Sequence, residues 1–596
     1  MKIPSLSGLL AAILLLEPAC ALPEHPRLII GKEAWEALPA RMEKDPVVGG
    51  IVRTCIARAD RVMGEETLTR ELEGRRLLGV SRDAIMRVVD LSTAWKVTKN
   101  RRYLERCRDE LIAVCGFTDW NPSHHLDVAE MQTAVAIGYD WLYYDLDPAD
   151  RKTIESALIG KGLKTSYAVK NPRKWTNNWN QVCNGGLILS AIALLDVEPE
   201  LAERAIGEAL SFIPTALDVG YPPDGAYAEG GGYWEYGTIY TVLTIEALAN
   251  AGFPMPSFAR HPGLMASGDY IAQVYGTSGR LFNYGDNRES EIPASPAMLW
   301  MAREKKSASL RDFVMPAFRD LSVGKPDRFL AFAAFWLPDA DGLKNDRLPT
   351  HFHGTGESPI SMHRTGFGHR DLFLGIKAGK AGVNHGHMDA GSFVLDFLGK
   401  RWAIDLGMQK YHSLETLGID LFGRSQNSGR WTVYRLNNSS HNTLTYNGKP
   451  HDIDGAAVIV SSEGGPNSQT VLDLSKPLGI PEGAGARRTF KVHPDGLGVT
   501  IVDELAGLNP GDVIEWKMLT RAQAGKEGDG LKLESGGEKL MLVLTSADAS
   551  EAVAKPVDPP PAAHDRSNPG VSQITMRSTA CEAGKVGITA VFRKPE

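Results

Sequence analysis

The densest chemistry in the chain lies in Asn384-His385-Gly386-His387-Met388-Asp389-Ala390-Gly391-Ser392-Phe393, where two histidines flank a glycine. In extended backbone residues i and i+2 share a face, and glycine lets the chain turn or admit a ligand. One imidazole can then face a cleft while its neighbour binds a metal. Residues 392–397 and 402–405, separated by Leu398-Gly399-Lys400-Arg401, read as two antiparallel strands with Asp405 as an oxygen donor at the end of the second. A polar loop, Asn437-Asn438-Ser439-Ser440-His441-Asn442, leads into a further strand. His387, Asp405 and His441 make a two-nitrogen, one-oxygen set that suits zinc better than calcium or magnesium. The competing use of these histidines is to hydrogen-bond loop backbone.

The first half of the chain offers two further dense stretches. Trp175-Thr176-Asn177-Asn178-Trp179-Asn180-Gln181 crowds amides and indoles just before an apolar helical run. One asparagine can cap that helix, and the others supply neutral donors able to hold a carboxylate. Asp224-Gly225-Ala226-Tyr227-Ala228-Glu229-Gly230-Gly231-Gly232-Tyr233-Trp234-Glu235-Tyr236 combines glycines, which allow close backbone approach, with phenols at i and i+3. Aromatic packing is the alternative use of those tyrosines. Glu229 in this stretch, His124 in the loop Asn121-Pro122-Ser123-His124-His125, and Tyr434 and Arg435 ahead of His441 are candidate substrate contacts, Arg435 because a guanidinium fork grips carboxylate or sulfate.

Together, His-Gly-His-x-Asp-Ala-Gly-Ser-Phe at 385–393, the Asp405 strand end and His441-Asn442-Thr443 resemble the heparinase II/III-like polysaccharide lyases. The resemblance implies an α+β multidomain chain, an N-terminal (α/α) toroid followed by a C-terminal antiparallel β-sandwich with the site between them, acting on uronic-acid polysaccharides. It also implies roles. The cleft amide falls on Asn178 and the cleft tyrosine on Tyr233, with Tyr236 as its rival one turn on and His385 as the histidine from the sheet. Where many relatives carry His after that Asn, this chain has Trp179, so Asn177 or Asn180 would compensate or the substrate range would narrow. Asn178, aided by Asn177 or Arg435, would hold the uronate carboxylate, and Tyr233 and His385 would share the two proton transfers of a β-elimination.

Positioning these residues takes two large domains, since 596 residues exceed what one core supports. Residues 1–21, with Lys2, a leucine-rich run and Ala19-Cys20-Ala21, read as a secretory signal peptide, which places the mature protein in the periplasm or outside the cell. Residues 22–345 read as helical hairpins, from the apolar spacing in 85–91, 128–137, 187–195 and 238–249. Residues 346–596 switch to short alternating runs with Gly, Asn and Asp turns, as in 372–376, 457–460, 489–492, 499–502 and 540–544, and 556–569 reads as a mobile loop. The net charge of -7 argues against a nucleic-acid partner, so an acidic polysaccharide would need a locally basic cleft. No later apolar run is long enough to span a bilayer. Five cysteines remain after signal removal, an odd and sparse set that reads as buried free thiols, with a single bridge between Cys107 and Cys115 as the alternative. The sequence leaves a homo-oligomer open. The rival functions are a glycoside hydrolase using carboxylates such as Asp127, Glu229 and Glu235, and a non-catalytic glycan-binding protein, which Trp179 keeps in play.

Overall fold

The computed structural model describes residues 22–321, 327–423 and 425–595; the signal-peptide reading of 1–21 lies outside the described residues. Helices run from Lys32–Lys44 to Leu330–Trp336, and among the described residues no strand precedes His351. Leu78–Thr98 packs on His125–Trp141, which packs on Asn178–Ala193, and the last is flanked by Pro199–Gly220 and Gly231–Asn250. This is an α/α toroid. Every residue of His125–Trp141 is buried, as are nearly all of Asn178–Ala193, which explains why their sequences are apolar all round rather than on one stripe. Their close approach requires a missing side chain. A Cβ on Gly186 would stand 2.6 Å from the Ala129 carbonyl oxygen.

From His351 onward the chain is antiparallel sheet. His351–Gly354, Ile360–Arg364, Phe373–Lys377, Phe393–Phe397 and Lys400–Ala403 form a five-stranded sheet in chain order, followed by an eight-stranded and a four-stranded sheet. Phe393 of the first meets Phe490, Trp516 and Phe592 of the others, so one aromatic core joins the layers. The turn expected at 398–401 is tight, with φ of 56° at Leu398 and 74° at Gly399, the left-handed pair a two-residue hairpin needs. The stretch 556–569, expected to be mobile, is instead tied down: Asp558 accepts from the Asn568 amide at 2.7 Å, and Asp565 accepts from the Tyr434 amide at 2.8 Å. Cys55, Cys107, Cys115, Cys183 and Cys581 are all free thiols, so Cys107 and Cys115 form no bridge.

One irregular segment of the helical half reaches across to the sheets. After the helix Pro262–Gln273, the bridges Tyr275 to Leu281 and Arg280 to Glu291 shape a loop that lies on the five-stranded sheet. Ser278 donates to the buried Asp396 at 2.6 Å, and Arg401 donates to Asp396 and to the Arg280 carbonyl. Arg364 donates to the Gln273 and Tyr275 carbonyls and so fastens this seam. The seam delivers Asp286 beneath the His385 loop, where the Asp286 amide donates to the His385 carbonyl at 2.9 Å.

Candidate active site

A cleft of about 890 Å³ lies between toroid and sheets. Asn177, Asn178, Trp179, His124, Tyr233, Tyr236 and His385 all line it. Chain order separates these residues by up to 261 positions, and only the fold brings them together. Three inner helices begin at this cleft: His125–Trp141 with His124 at its N-cap, Asn178–Ala193 with Asn177 at its N-cap, and Gly231–Asn250 with Tyr233 in its first turn. Helix N-termini carry partial positive charge and free amides, so their convergence favours an anion. Arg75, Arg288 and Lys410 add full charges, Arg76 and Arg82 are each paired with a carboxylate, and among the described lining residues the one carboxylate is Glu73. An acidic protein thus has a basic cleft.

The amide stretch divides by role. Asn177 caps the helix, accepting from the Trp179 amide at 3.1 Å. Asn180 donates to the Phe212 carbonyl inside the toroid at 3.0 Å, so it is not available to compensate for Trp179. Asn178 is 4% exposed, yet its side chain has no hydrogen-bond partner among the described residues. Its amide atoms open on the cleft and keep their hydrogen-bonding capacity for a ligand. Trp179 meets the His124 ring edge-on at 5.0 Å and Trp175 at 5.1 Å, and Trp175 stands 45% exposed. His124 is held from behind by Asp127, Nδ1 to Oδ1 at 2.7 Å.

At the seam the polar groups form a closed network. The Tyr233 phenol stacks on the His385 ring with centroids 4.3 Å apart, and its oxygen lies 3.3 Å from His385 Nδ1 and 2.8 Å from the Tyr411 hydroxyl. Tyr411 donates to Asp286 Oδ2 at 2.9 Å, and Asp286 also meets His385 Nδ1 at 3.0 Å, His387 Nε2 at 2.9 Å and Arg430 at 3.0 Å. Burial works against a charged Asp286, but Arg430 and the two histidines outweigh it and hold the carboxyl well below its ordinary range. Burial, reinforced by Asp286, pushes the Tyr233 phenol well above its ordinary value, so it stays protonated. His385 itself has φ of 56°, a left-handed conformation costly for a side-chain-bearing residue and typical of a position held by its surroundings for function.

Tyr236 is placed differently. The Arg82 and Arg328 guanidinium groups lie over its ring, 4.7 and 5.4 Å from the centroid, and its hydroxyl is buried without a hydrogen-bond partner among the described residues. Three sequence-derived contacts are corrected. Glu229 is buried behind the wall and accepts from the Asn384 amide, so it positions Asn384 rather than touching sugar. Arg435 spends its donors on the Leu406 and Met408 carbonyls and on Asn568, and Tyr434 packs with Ile404, Leu406 and Leu519. Neither lines the cleft, because the short helical turns at 429–440 point both side chains into the sheet layers. Sequence reading missed Asp286, Tyr411, Arg430 and Asn384. Asn283-Tyr284-Gly285-Asp286-Asn287, a polar turn inside an otherwise helical half, is the signal that could have found the first.

His387 and His441 lie 5.4 Å apart by ring centroids in the buried sheet interior, and His387 Nδ1 and His441 Nε2 have no hydrogen-bond partners among the described residues. Asp405 Oδ2 contacts His441 Nδ1 at 2.8 Å. The donor types fit a transition metal, and two free ring nitrogens are available for one. The side-chain arrangement is that of a hydrogen-bonded pair beside a third residue, and among the described residues no group of three such side chains stands ready to hold a metal ion. Loading would require the Asp405–His441 pair to reorient.

Comparison with known proteins agrees with this architecture. The family model "Heparinase II/III-like, C-terminal" matches residues 355–574, which include His385, His387, Asp405, Tyr411 and His441. No curated protein sequence gives a significant match. Among solved structures, heparinase III superposes with a TM-score of 0.62 at 12% identity, over 91% of this chain and 85% of that one. The heparan sulfate lyase from Pedobacter heparinus gives 0.56 at 12% identity, over 90% and 82%. The chondroitin AC lyase of Streptomyces coelicolor A3 gives 0.50 at 12% identity, over 94% and 83%. At such identities the likeness speaks for the fold, and it spans both halves. Residues 355–574 thus match the Heparinase II/III-like C-terminal family, on a chain that has the toroid-plus-sandwich fold seen in heparinase III.

Proposed function

We propose that the protein is a polysaccharide lyase that cleaves a uronic-acid-containing polymer by β-elimination. The observation that carries this reading is the pairing, in one basic cleft, of an unpartnered buried amide, Asn178, with a phenol and imidazole in contact, Tyr233 and His385. Removing the proton at C5 puts negative charge on an already anionic carboxylate, so the barrier falls if neutral or cationic donors meet that group. Asn178 and the converging helix N-termini supply them. Donation of Nδ1–H from His385 to Asp286 leaves Nε2 as the lone-pair nitrogen, suited to take the C5 proton. Tyr233, held protonated, gives its proton to the departing O4 as the C4–O4 bond breaks, and the Tyr411 hydroxyl, 2.8 Å away, turns its one proton from Asp286 to the phenolate left behind. The products are a C4=C5 unsaturated uronate and a free hydroxyl. A sugar of opposite C5 configuration would exchange the two proton-transfer roles.

The cleft argues against hydrolysis. A glycosidase needs two facing carboxyl groups. Asp127 is buried behind His124, Glu229 behind Asn384, and Glu235 is bonded to Ser295, which leaves Glu73 alone. A zinc ion held by His387, Asp405 and His441 would stiffen the His385 loop from inside the sheet, with the chemistry left to the side chains above it. Metal analysis should return about one equivalent, and His441→Ala should lower both metal content and thermal stability.

A panel of acidic polysaccharides, followed by ultraviolet absorbance of the new double bond, tests the main reading. Absorbance growth with at least one uronate polymer is expected. Binding of such a polymer without any absorbance change would favour a glycan-binding protein instead.

A further inference from the structure

The two walls of the cleft are joined above it. From the toroid comes a tight hairpin, Glu73 to Arg76, closed by paired backbone bonds of 2.9 and 3.1 Å and turned at Gly74 with φ of 62°. Its base is anchored: Asn121 donates to the Arg75 carbonyl at 2.9 Å, and the Leu77 amide donates to the buried Asp127 at 2.6 Å. From the sheet half comes the short helix Tyr411–Glu415, whose first residue belongs to the seam network. The two meet twice. Arg76 grips Glu415 with both nitrogens, at 2.8 and 2.9 Å, and a Cβ on Gly74 would stand 3.0 Å from His412 Nδ1. Glu73, Arg75 and Arg76 on one side and Tyr411 and His412 on the other are all cleft lining.

We infer that the Arg76–Glu415 clasp closes this side of the cleft, so the enzyme works from chain ends and on short oligosaccharides rather than at interior bonds of a long polymer. The inference rests on the lyase reading above and adds its mode of action. An open groove lets a polymer lie across it, whereas walls that touch require the chain to thread or present an end. The cleft volume, about 890 Å³, is that of a pocket for a small ligand rather than of an extended polymer groove. The bridge is bidentate and both side chains are more than half shielded from solvent, at 18% and 27% exposed, so it is better defined than a freely solvated pair. Because Glu415 ends the helix that Tyr411 begins, the same clasp also sets the position of a hydroxyl 2.8 Å from Tyr233.

The test compares wild type, Arg76→Ala, Glu415→Gln and the charge-exchanged Arg76→Glu/Glu415→Arg protein on a size-fractionated polymer and on its tetrasaccharide. Double bonds are read by absorbance and chain length by size-exclusion chromatography. Wild type should release the smallest unsaturated products while mean polymer length hardly falls. Each single variant should shorten the polymer at equal double-bond yield and raise the polymer-to-tetrasaccharide rate ratio about three- to fivefold, the size expected for loss of one partly shielded ion pair. The exchanged pair should restore the wild-type pattern. Wild type that shortens the polymer from its first cuts, or single variants with the wild-type product pattern, would overturn the clasp while leaving the lyase reading intact. Absence of double bonds from every polymer and oligomer would instead overturn the lyase reading, and the inference with it.

Discussion

The two sides of the cleft are built on opposite principles. At the domain seam Tyr233, His385, Tyr411, Asp286 and Arg430 satisfy one another in a closed network around a buried carboxylate. On the open wall Asn178 has no hydrogen-bond partner, and the side chains of Arg288 and Lys410 make neither hydrogen bond nor ion pair among the described residues. The seam is organised before substrate arrives, whereas the wall is completed by it. In the proposed elimination proton transfer needs fixed distances and carboxylate binding needs unsatisfied donors, so each side has the construction that reading requires.

Substitutions can break or sharpen that contrast. Tyr233→Phe removes a proton donor from the seam and keeps the ring stacked on His385, so turnover should fall by about 10²–10⁴ with KM little changed. A rise in KM as the main effect would move Tyr233 to the binding wall. In the proposed reaction Asn178→Ala removes the donor that meets the carboxylate, and kcat/KM should fall by about 10²–10³, with thermal stability little changed because no protein hydrogen bond is lost. Loss of stability there would mean the amide is structural.

Asp286→Asn strikes the centre of the seam. It leaves Arg430 with a neutral partner and frees His385 to turn, so a loss of about 3 kcal/mol in stability, seen as a lower Tm, should accompany reduced turnover. Arg435→Ala should cost about 2 kcal/mol through orphaned carbonyls at 406 and 408 while KM stays at the wild-type value. A raised KM would return Arg435 to the substrate. The smallest effect is expected for Tyr236→Phe, which deletes a hydroxyl that has no geometric hydrogen-bond partner among the described residues, and turnover within about twofold of wild type would separate it from Tyr233.

Much of this arrangement was legible in residue order. The change from helical to alternating apolar spacing told a helical half from a sheet half, because periodicity reflects which faces are buried within each element. Gly230-Gly231-Gly232 ahead of Tyr233 and Asn177-Asn178 ahead of an apolar helix marked two helix N-termini, and a helix start is a local property. His385-Gly386-His387 marked a loop rather than a regular strand for the same reason. Arg435 was misread because its fork chemistry is visible in sequence but its direction is not: three short helical turns aim it at carbonyls of the sheet.

What residue order alone determined about this protein is the kind of each element and the stock of groups that could bind a uronate and move its protons. Which of those groups meet was decided by tertiary structure. Asp286 reaches His385 across 99 positions because an irregular loop leaves the toroid and lies on the sheet, and Arg76 reaches Glu415 across 339 because the two domains close on each other. Such pairings depend on how whole layers pack, and no local pattern of polarity or spacing encodes them.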